Sequence, residues 1–250
     1  MSPSKVAQAA SLLASRRRLG EPGALLPASL RPADIDDAVA IQSLVIDELG
    51  DRIGGWKCGL SPENPVVMAP VPAGTIHHAS PCPVWAAAGQ VRVEPELAFV
   101  LGHELPPRDR PYTPAEVDAA IASVHLALEL IGSRYADPGA ASMTDHLADG
   151  LLNQGMLIGP RVDVTPGAMT IDVHREEGRG LNLEGKHPNT DPRAPLYWLA
   201  EFLRSKGRGL QAGQAVITGS YAGSFEVPVD EEVEIRFGEL GSIKAHFTPK

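Results

Sequence analysis

The spacing of apolar positions changes character once along the chain, near residue 53. Before that point the period is helical. Ser4 can cap a helix that runs to about Leu19 and is ended by Gly20. A proline-rich loop from Glu21 to Pro32 follows, and Asp34 then opens a second helix. It carries Ile35, Val39, Val45, Ile46 and Leu49 roughly on one side and stops at Gly50. Residues 1–52 therefore read as an N-terminal helical cap ahead of a β-rich part spanning 53–250, the two forming one structural unit.

From Ile53 the pattern shortens. VRVEPELAFVL (91–101) and VHLALELIG (124–132) alternate with the two-residue period of a strand. Between them Thr113, Pro114 and Glu116 spell a capping box with proline at the first helical position, which starts a short helix. Further strands are expected near 156–159, 169–174, 215–218, 232–237 and 242–247. A helix is expected from Pro192 to about Lys206, capped by Asp191 and closed by Gly207. Strands outnumber helices and no regular βαβ alternation appears. That argues against a doubly wound parallel sheet and for an α+β fold, a curved β core with a few packed helices.

Composition refines this picture. At 250 residues the chain is one large domain or two small ones, and 43 % apolar with 21 % charged residues is ordinary for a globular protein. Aromatics are only 5 %, so Val, Leu, Ile and Ala must build the core; 25 Gly and 23 Pro fit many turns. A net charge of -9 with no basic stripe excludes nucleic acid as a partner. The one basic run, Arg16 to Arg18, is expected to be a solvated helix face. Two cysteines, Cys58 and Cys82, do not make a disulfide framework. The basic cluster follows the apolar part of the first twenty residues, the reverse of a secretory signal. No run approaches 18 apolar residues, so no membrane span is expected. A cytoplasmic protein with reduced thiols is the expectation.

The informative chemistry is acidic. Glu94 and Glu96 are two apart in a strand and share one face with Ala98 and Val100, while Leu97, Phe99 and Leu101 fill the other. A strand apolar on both sides is normally internal, where two carboxylates repel and lose hydration. Glu129 lies in a second apolar strand between Leu128 and Leu130. A hard cation with oxygen ligands, Mg²⁺ or Mn²⁺, would compensate such charges. A strand end exposed or paired with arginines would also accommodate Glu94 and Glu96, and spacing alone does not bring Glu129 to them. No GxxxxGK[ST] loop, GxSxG elbow, HExxH or paired CxxC occurs.

Six segments then come in a familiar order: GGWKCGL (54–60), VEPELAFVL (93–101), ALELIGSRY (127–135), ADGLLNQGMLIG (148–159), 195–220 and GSIKAHF (241–247). Together they resemble the 2-keto-4-pentenoate hydratase and 4-oxalocrotonate decarboxylase branch of the fumarylacetoacetate hydrolase superfamily, over nearly the whole chain. The resemblance implies a mixed β-roll with peripheral helices, assembled as a homodimer or larger homo-oligomer. It implies Mg²⁺ or Mn²⁺ held by Glu94, Glu96 and Glu129, and a small 2-keto acid bound through its 1-carboxylate and 2-oxo group. Hydration, decarboxylation and C–C cleavage are all reachable through one enolate there. Lys57 matches an active-site lysine; an ammonium there neutralises a carboxylate or, with a lowered pKa, moves a proton. Leu60 ends the same segment and is expected at the substrate, as are Thr218, Gly219 and Ser220, whose small size lets backbone N–H groups approach an anion.

Other positions depart from the family pattern. Asp149 is followed by Gly150 rather than asparagine, and Leu152 stands where a serine is usual, with Asn153 or Gln154 as substitutes. His77 and His78 follow Gly74-Thr75-Ile76, with Ala79 near a usually acidic position. Either histidine is an acid–base candidate, and His78 is taken as the catalytic one. A His-Pro-Leu-Asn segment expected before the long helix aligns with Asp191-Pro192-Arg193-Ala194, where Arg193 is a candidate for a distal carboxylate. The expected activity is a hydratase of the lyase class working in aromatic-compound catabolism. A decarboxylase, an acylpyruvate hydrolase and a non-catalytic partner subunit are the alternatives.

Overall fold

The computed structural model describes residues 1–175 and 180–250. Helices α1 (Pro3–Leu19) and α2 (Ile35–Leu49) lead the chain. Asp34 caps α2 by accepting from the Asp37 N–H at 2.9 Å, as its position predicts. Helix α1 starts one residue before the expected Ser4 cap, because Pro3 sits at the first turn and Ser2 takes the extended cap position. Ala9, Ala10, Leu13 and Ala14 of α1 and Ala38, Ile41 and Val45 of α2 belong to the same buried cluster as the strands, so the helices share the main core.

Thirteen strands follow among the described residues: β1 (Ile53–Gly59), β2 (Val67–Pro72), β3 (Ile76–His77), β4 (Cys82–Val84), β5 (Gln90–Leu101), β6 (Ile121–Ile131), β7 (Asn153–Val162), β8 (Ala168–Arg175), β9 (Leu181–Lys186), β10 (Ala215–Ile217), β11 (Phe225–Pro228), β12 (Glu232–Phe237) and β13 (Ser242–Pro249). Three short or medium helices interrupt them: α3 (Pro114–Ala120), α4 (Met143–Ala148) and α5 (Ala194–Ser205). The Thr113–Glu116 capping box is formed as expected. Helix α5 begins later than expected. Asp191 spends its carboxylate on the Arg193 N–H at 2.9 Å, so the helix proper starts at Ala194.

One sheet runs β2-β1-β10-β5-β6-β7-β3 with β11 added beside the start of β5; the other runs β4-β13-β12-β8-β9. Both are mixed: β1–β10, β3–β7 and β4–β13 are parallel and the remaining pairs antiparallel. The first sheet curls until β2 lies against β7. Its outer face, including Leu97, Phe99, Leu126 and Leu128, packs with Ile171, Val233, Ile235 and Phe247 of the second sheet. Its inner face holds a separate cluster of Val71, Ala98, Ala127, Met156, Ile158, Ala215 and Ile217. This is the mixed β-roll that the family resemblance implied.

The basic run of α1 departs from expectation. Arg16 and Arg17 fold inward, Arg16 Nη1 donating to the Arg134 carbonyl at 3.2 Å and Arg17 Nη2 to the Asn153 carbonyl at 2.7 Å. Buried carbonyls at the ends of neighbouring segments recruit them, and only Arg18 stays exposed.

Candidate metal centre

Strand pairing decides which side chains meet. Glu94 lies directly opposite Glu129 across β5 and β6, and Glu96 opposite Ala127. All three glutamates therefore point to the inner face, at one mouth of the roll. One carboxylate oxygen from each lies within 4.8 Å of the other two. Lys57 comes from β1, level with Ile217 and Ala69, on the same inner face. Its neighbour Gly55 has to be glycine, since a Cβ there would sit 2.4 Å from the Ala215 carbonyl oxygen. Trp56 and Cys58 point the other way into the main core. The GGWKCG segment is thus an alternating strand that carries one cation inward.

The bonds within this cluster are few. Lys57 Nζ donates to Glu129 Oε1 at 2.7 Å and to the Leu151 carbonyl at 3.0 Å. Asn153 Nδ2 donates to the same Oε1 at 2.8 Å. The Gly219 N–H donates to Glu96 Oε2 at 2.7 Å. Glu129 Oε2 is buried with no partner among the described residues. Three carboxylates face one ammonium, and one oxygen of the central carboxylate is left without a hydrogen-bond partner. A divalent cation with oxygen ligands fits this donor set.

Electrostatics agree with the geometry. Burial, then repulsion from Glu129, raises the Glu94 carboxyl above its ordinary value. Glu96 is pushed well above by burial and by the charges of Glu129 and Glu94, against the opposing pull of the Gly219 N–H and Lys57. Burial alone would depress Lys57, but Glu129 and the other two carboxylates raise it, so its ammonium persists.

The backbone holding these donors is bent. Gly150, Leu151 and Leu152 have φ of 80°, 53° and 65°, a left-handed run in which leucine is disfavoured by roughly 1–2 kcal/mol per residue. The turn aims the Leu151 carbonyl at Lys57 and delivers Asn153 to Glu129. Gly219, at φ 134°, has Pro188 Cγ 2.8 Å from where a Cβ would be, so only glycine presents this N–H to Glu96.

The remaining expected residues divide. Thr218 is buried, with Oγ1 3.4 Å from His187 Nε2. Ser220 Oγ donates to the Gly223 carbonyl at 2.8 Å, closing its own turn. Leu60 sits at the rim just past β1, in a groove with Ser61, Pro62, Asn189 and Trp198. His78 is not brought to the glutamates. Ile76 pairs with Met156, which is level with Glu129, so the chain beyond β3 runs toward the other end of the roll. There His78 lines a groove with Ile158, Pro160 and Ser242. Ile76 packs on the inner cluster, which leaves His77 pointing outward. Arg193 turns to Asp118, 3.6 Å away. Asp149 is spent on Arg134, whose Nε lies 2.5 Å from Oδ1.

One residue beside the site was not anticipated. His187 is buried behind Thr218 with its ring edge-on to Tyr221, centroids 5.2 Å apart. A His-Pro dipeptide, His187-Pro188, stands shortly upstream of Asp191-Pro192. The dipeptide itself was the available signal. The Gly219 N–H, expected to approach an anion, is directed at Glu96.

A mixed β-roll with three inward glutamates and one lysine at its mouth defines a class, and comparison with known proteins agrees. The model of the fumarylacetoacetate (FAA) hydrolase C-terminal family matches residues 56–248, and the chain belongs to that family. Over 99 % of its length it is 27 % identical to the 2-keto-4-pentenoate hydratase of Paraburkholderia xenovorans (strain LB400), covering 96 % of that protein. It is also 27 % identical to a 4-oxalocrotonate decarboxylase of Pseudomonas sp, over 84 % of this chain and 85 % of that one. The solved 4-oxalocrotonate decarboxylase from Pseudomonas putida G7, complexed with magnesium and adipate, shares the fold with TM-score 0.79 at 18 % identity, 99 % of each chain being covered. No helix among the described residues is long and apolar enough to cross a membrane.

Proposed function

We propose that this chain is a divalent-metal-dependent lyase that hydrates a small 2-hydroxy-dienoate or related 2-keto acid in aromatic-compound catabolism. The carrying observation is the cluster of Glu94, Glu96 and Glu129 with its orphaned Glu129 oxygen. These residues would hold Mg²⁺ or Mn²⁺, which supplies Lewis acidity toward the keto-acid end of the substrate. Lys57, kept protonated by its carboxylate neighbours, holds a proton at Nζ beside the substrate and balances its negative charge. The Leu151 carbonyl and Glu129 fix where that proton points. Thr218 and Ser220 flank the Gly219 N–H just beyond β10, beside the strand that carries Lys57, and Leu60 follows the end of that strand. In this reading the protein is a cytoplasmic homodimer or larger homo-oligomer, which light scattering would test.

Decarboxylation is the second reading, supported by the likeness to decarboxylases in sequence and fold. Purified protein with Mg²⁺ is incubated separately with a 2-hydroxy-dienoate, an oxalocrotonate and an acylpyruvate, and the products are resolved. Hydrated product from the dienoate is expected, and Glu96→Gln is expected to abolish both turnover and Mn²⁺ binding. Carbon dioxide release would replace the hydratase reading with the decarboxylase. Metal binding without turnover of any of the three would leave a non-catalytic partner subunit.

A further inference from the structure

Helix α1 lies outside the matched family domain, which begins at residue 56. It nevertheless reaches the metal centre through one side chain. Arg17 Nη2 donates to the Asn153 carbonyl at 2.7 Å, across 136 positions of sequence. The same nitrogen lies 3.4 Å from where a Cβ on Gly150 would be. Burial, then the charge of Arg134, pulls the Arg17 guanidinium down to about 9 against the opposing effect of Asp149, so it stays charged at neutral pH while giving up hydration. An arginine on a solvated helix face would keep its head in water.

The segment that receives it is the left-handed run of Gly150, Leu151 and Leu152 with the residue that follows. Its four carbonyls are each held by a different donor. The Gly150 carbonyl accepts from the Asn153 N–H at 3.1 Å, and the Leu152 carbonyl from the Gly132 N–H at 2.7 Å. The Leu151 carbonyl accepts from Lys57 and the Asn153 carbonyl from Arg17. Of these four donors only Arg17 comes from the N-terminal helices. Backbone in this conformation persists only where its surroundings over-determine it. Two groups of the metal centre hang on this segment. Leu151 gives Lys57 an acceptor, and Asn153 Nδ2 binds the Glu129 oxygen that Lys57 also binds.

We propose that Arg17 is a positioning residue for the metal centre, fixing the backbone of residues 151–153 so that the Leu151 carbonyl meets Lys57 and the Asn153 amide meets Glu129. This rests on the metal-dependent reading above. Arg16, its neighbour, provides the contrast. It donates to the Arg134 carbonyl and so anchors the same helix, with no bond to residues 150–153 among the described residues.

The test follows Mn²⁺ binding by calorimetry and amide hydrogen exchange, in the full chain and its variants, below the melting temperature of each. Arg17→Gln is expected to weaken Mn²⁺ binding about ten-fold, the low end for groups that hold a metal ligand in place, and to speed exchange at residues 150–153. Arg17→Lys, which keeps a charged donor on a long stem, should recover most of both. Arg16→Gln should change neither. In an Asn153→Ala background Arg17→Gln should cost little further affinity, because the amide it positions is gone. Arg17→Met, which keeps an apolar stem and buries no unpaired amide, takes the place of Arg17→Gln if that variant does not fold. Arg17 variants that bind Mn²⁺ as the unaltered protein does, or an equal loss in Arg16→Gln, overturn the assignment and leave the metal-dependent reading standing. If the unaltered protein binds no Mn²⁺, the metal-dependent reading itself fails and the positioning role falls with it.

Discussion

The inner surface of the roll has two ends made by the same strands, and they solve opposite problems. Two residues along β5 and β6 from the glutamates, Ala98 and Ala127 meet Ile158, Ala215 and Ile217 in a dry, uncharged cluster. At the mouth, the same alternation places Glu94, Glu96, Glu129 and Lys57 on that surface with one carboxylate oxygen left unbonded. The first end is satisfied by its own contacts. The second is satisfied only when something positive enters, and the local fold accepts left-handed leucines to build it. Function sits where the strand pattern is kept but charge balance is not.

The largest effect is expected at Lys57. Lys57→Met strands the fully buried Glu129 without its ammonium and should lower metal-free stability by about 3–5 kcal/mol. Urea denaturation with and without Mn²⁺ reads this, and the cation should restore much of the loss. A loss that Mn²⁺ leaves untouched would mean the cluster is not a cation site.

The opposite end gives a smaller effect and a cleaner contrast. Ala98→Val overfills a fully buried position and should cost about 1–3 kcal/mol, with Mn²⁺ affinity unchanged in the folded protein. Parallel losses in stability and affinity would show that the two ends are mechanically one.

The smallest effect is a dependence on pH. Glu94 and Glu96 are raised in the folded state above the ordinary 4.5, so the native protein holds their protons more tightly than the unfolded chain. Their contribution to stability is present below pH 4.5 and is lost as pH rises through the raised values. The melting temperature of metal-free protein, referenced to the Glu96→Gln variant, should therefore fall as pH climbs from about 4.5 toward 7. Stabilisation by Mg²⁺ should grow over the same interval. A flat difference between the two proteins would remove the repulsive carboxylate cluster from the account.

Much of this was legible residue by residue. Strand alternation put Glu94 and Glu96 on one face and made them costly in an apolar strand. Family resemblance connected Glu129, Lys57 and the Thr218–Ser220 turn to them. Local spacing could not place His78, because its position depends on β3 pairing in parallel with β7, far away in sequence. Nor could it turn Arg16 and Arg17 inward, since the carbonyls that recruit them belong to residues 134 and 153. The same holds for the Gly219 N–H, which is a backbone group that every residue but proline possesses.

The sequence by itself determined the class of fold, which strands would be buried, and that two carboxylates in one of them required an explanation. Those are consequences of period and polarity, which act over a few residues. Only the tertiary structure decided that Glu129 lies opposite Glu94 and that Lys57 and Asn153 share one Glu129 oxygen. Register and sheet closure set those distances. They are fixed by the packing of the whole core rather than by any local preference.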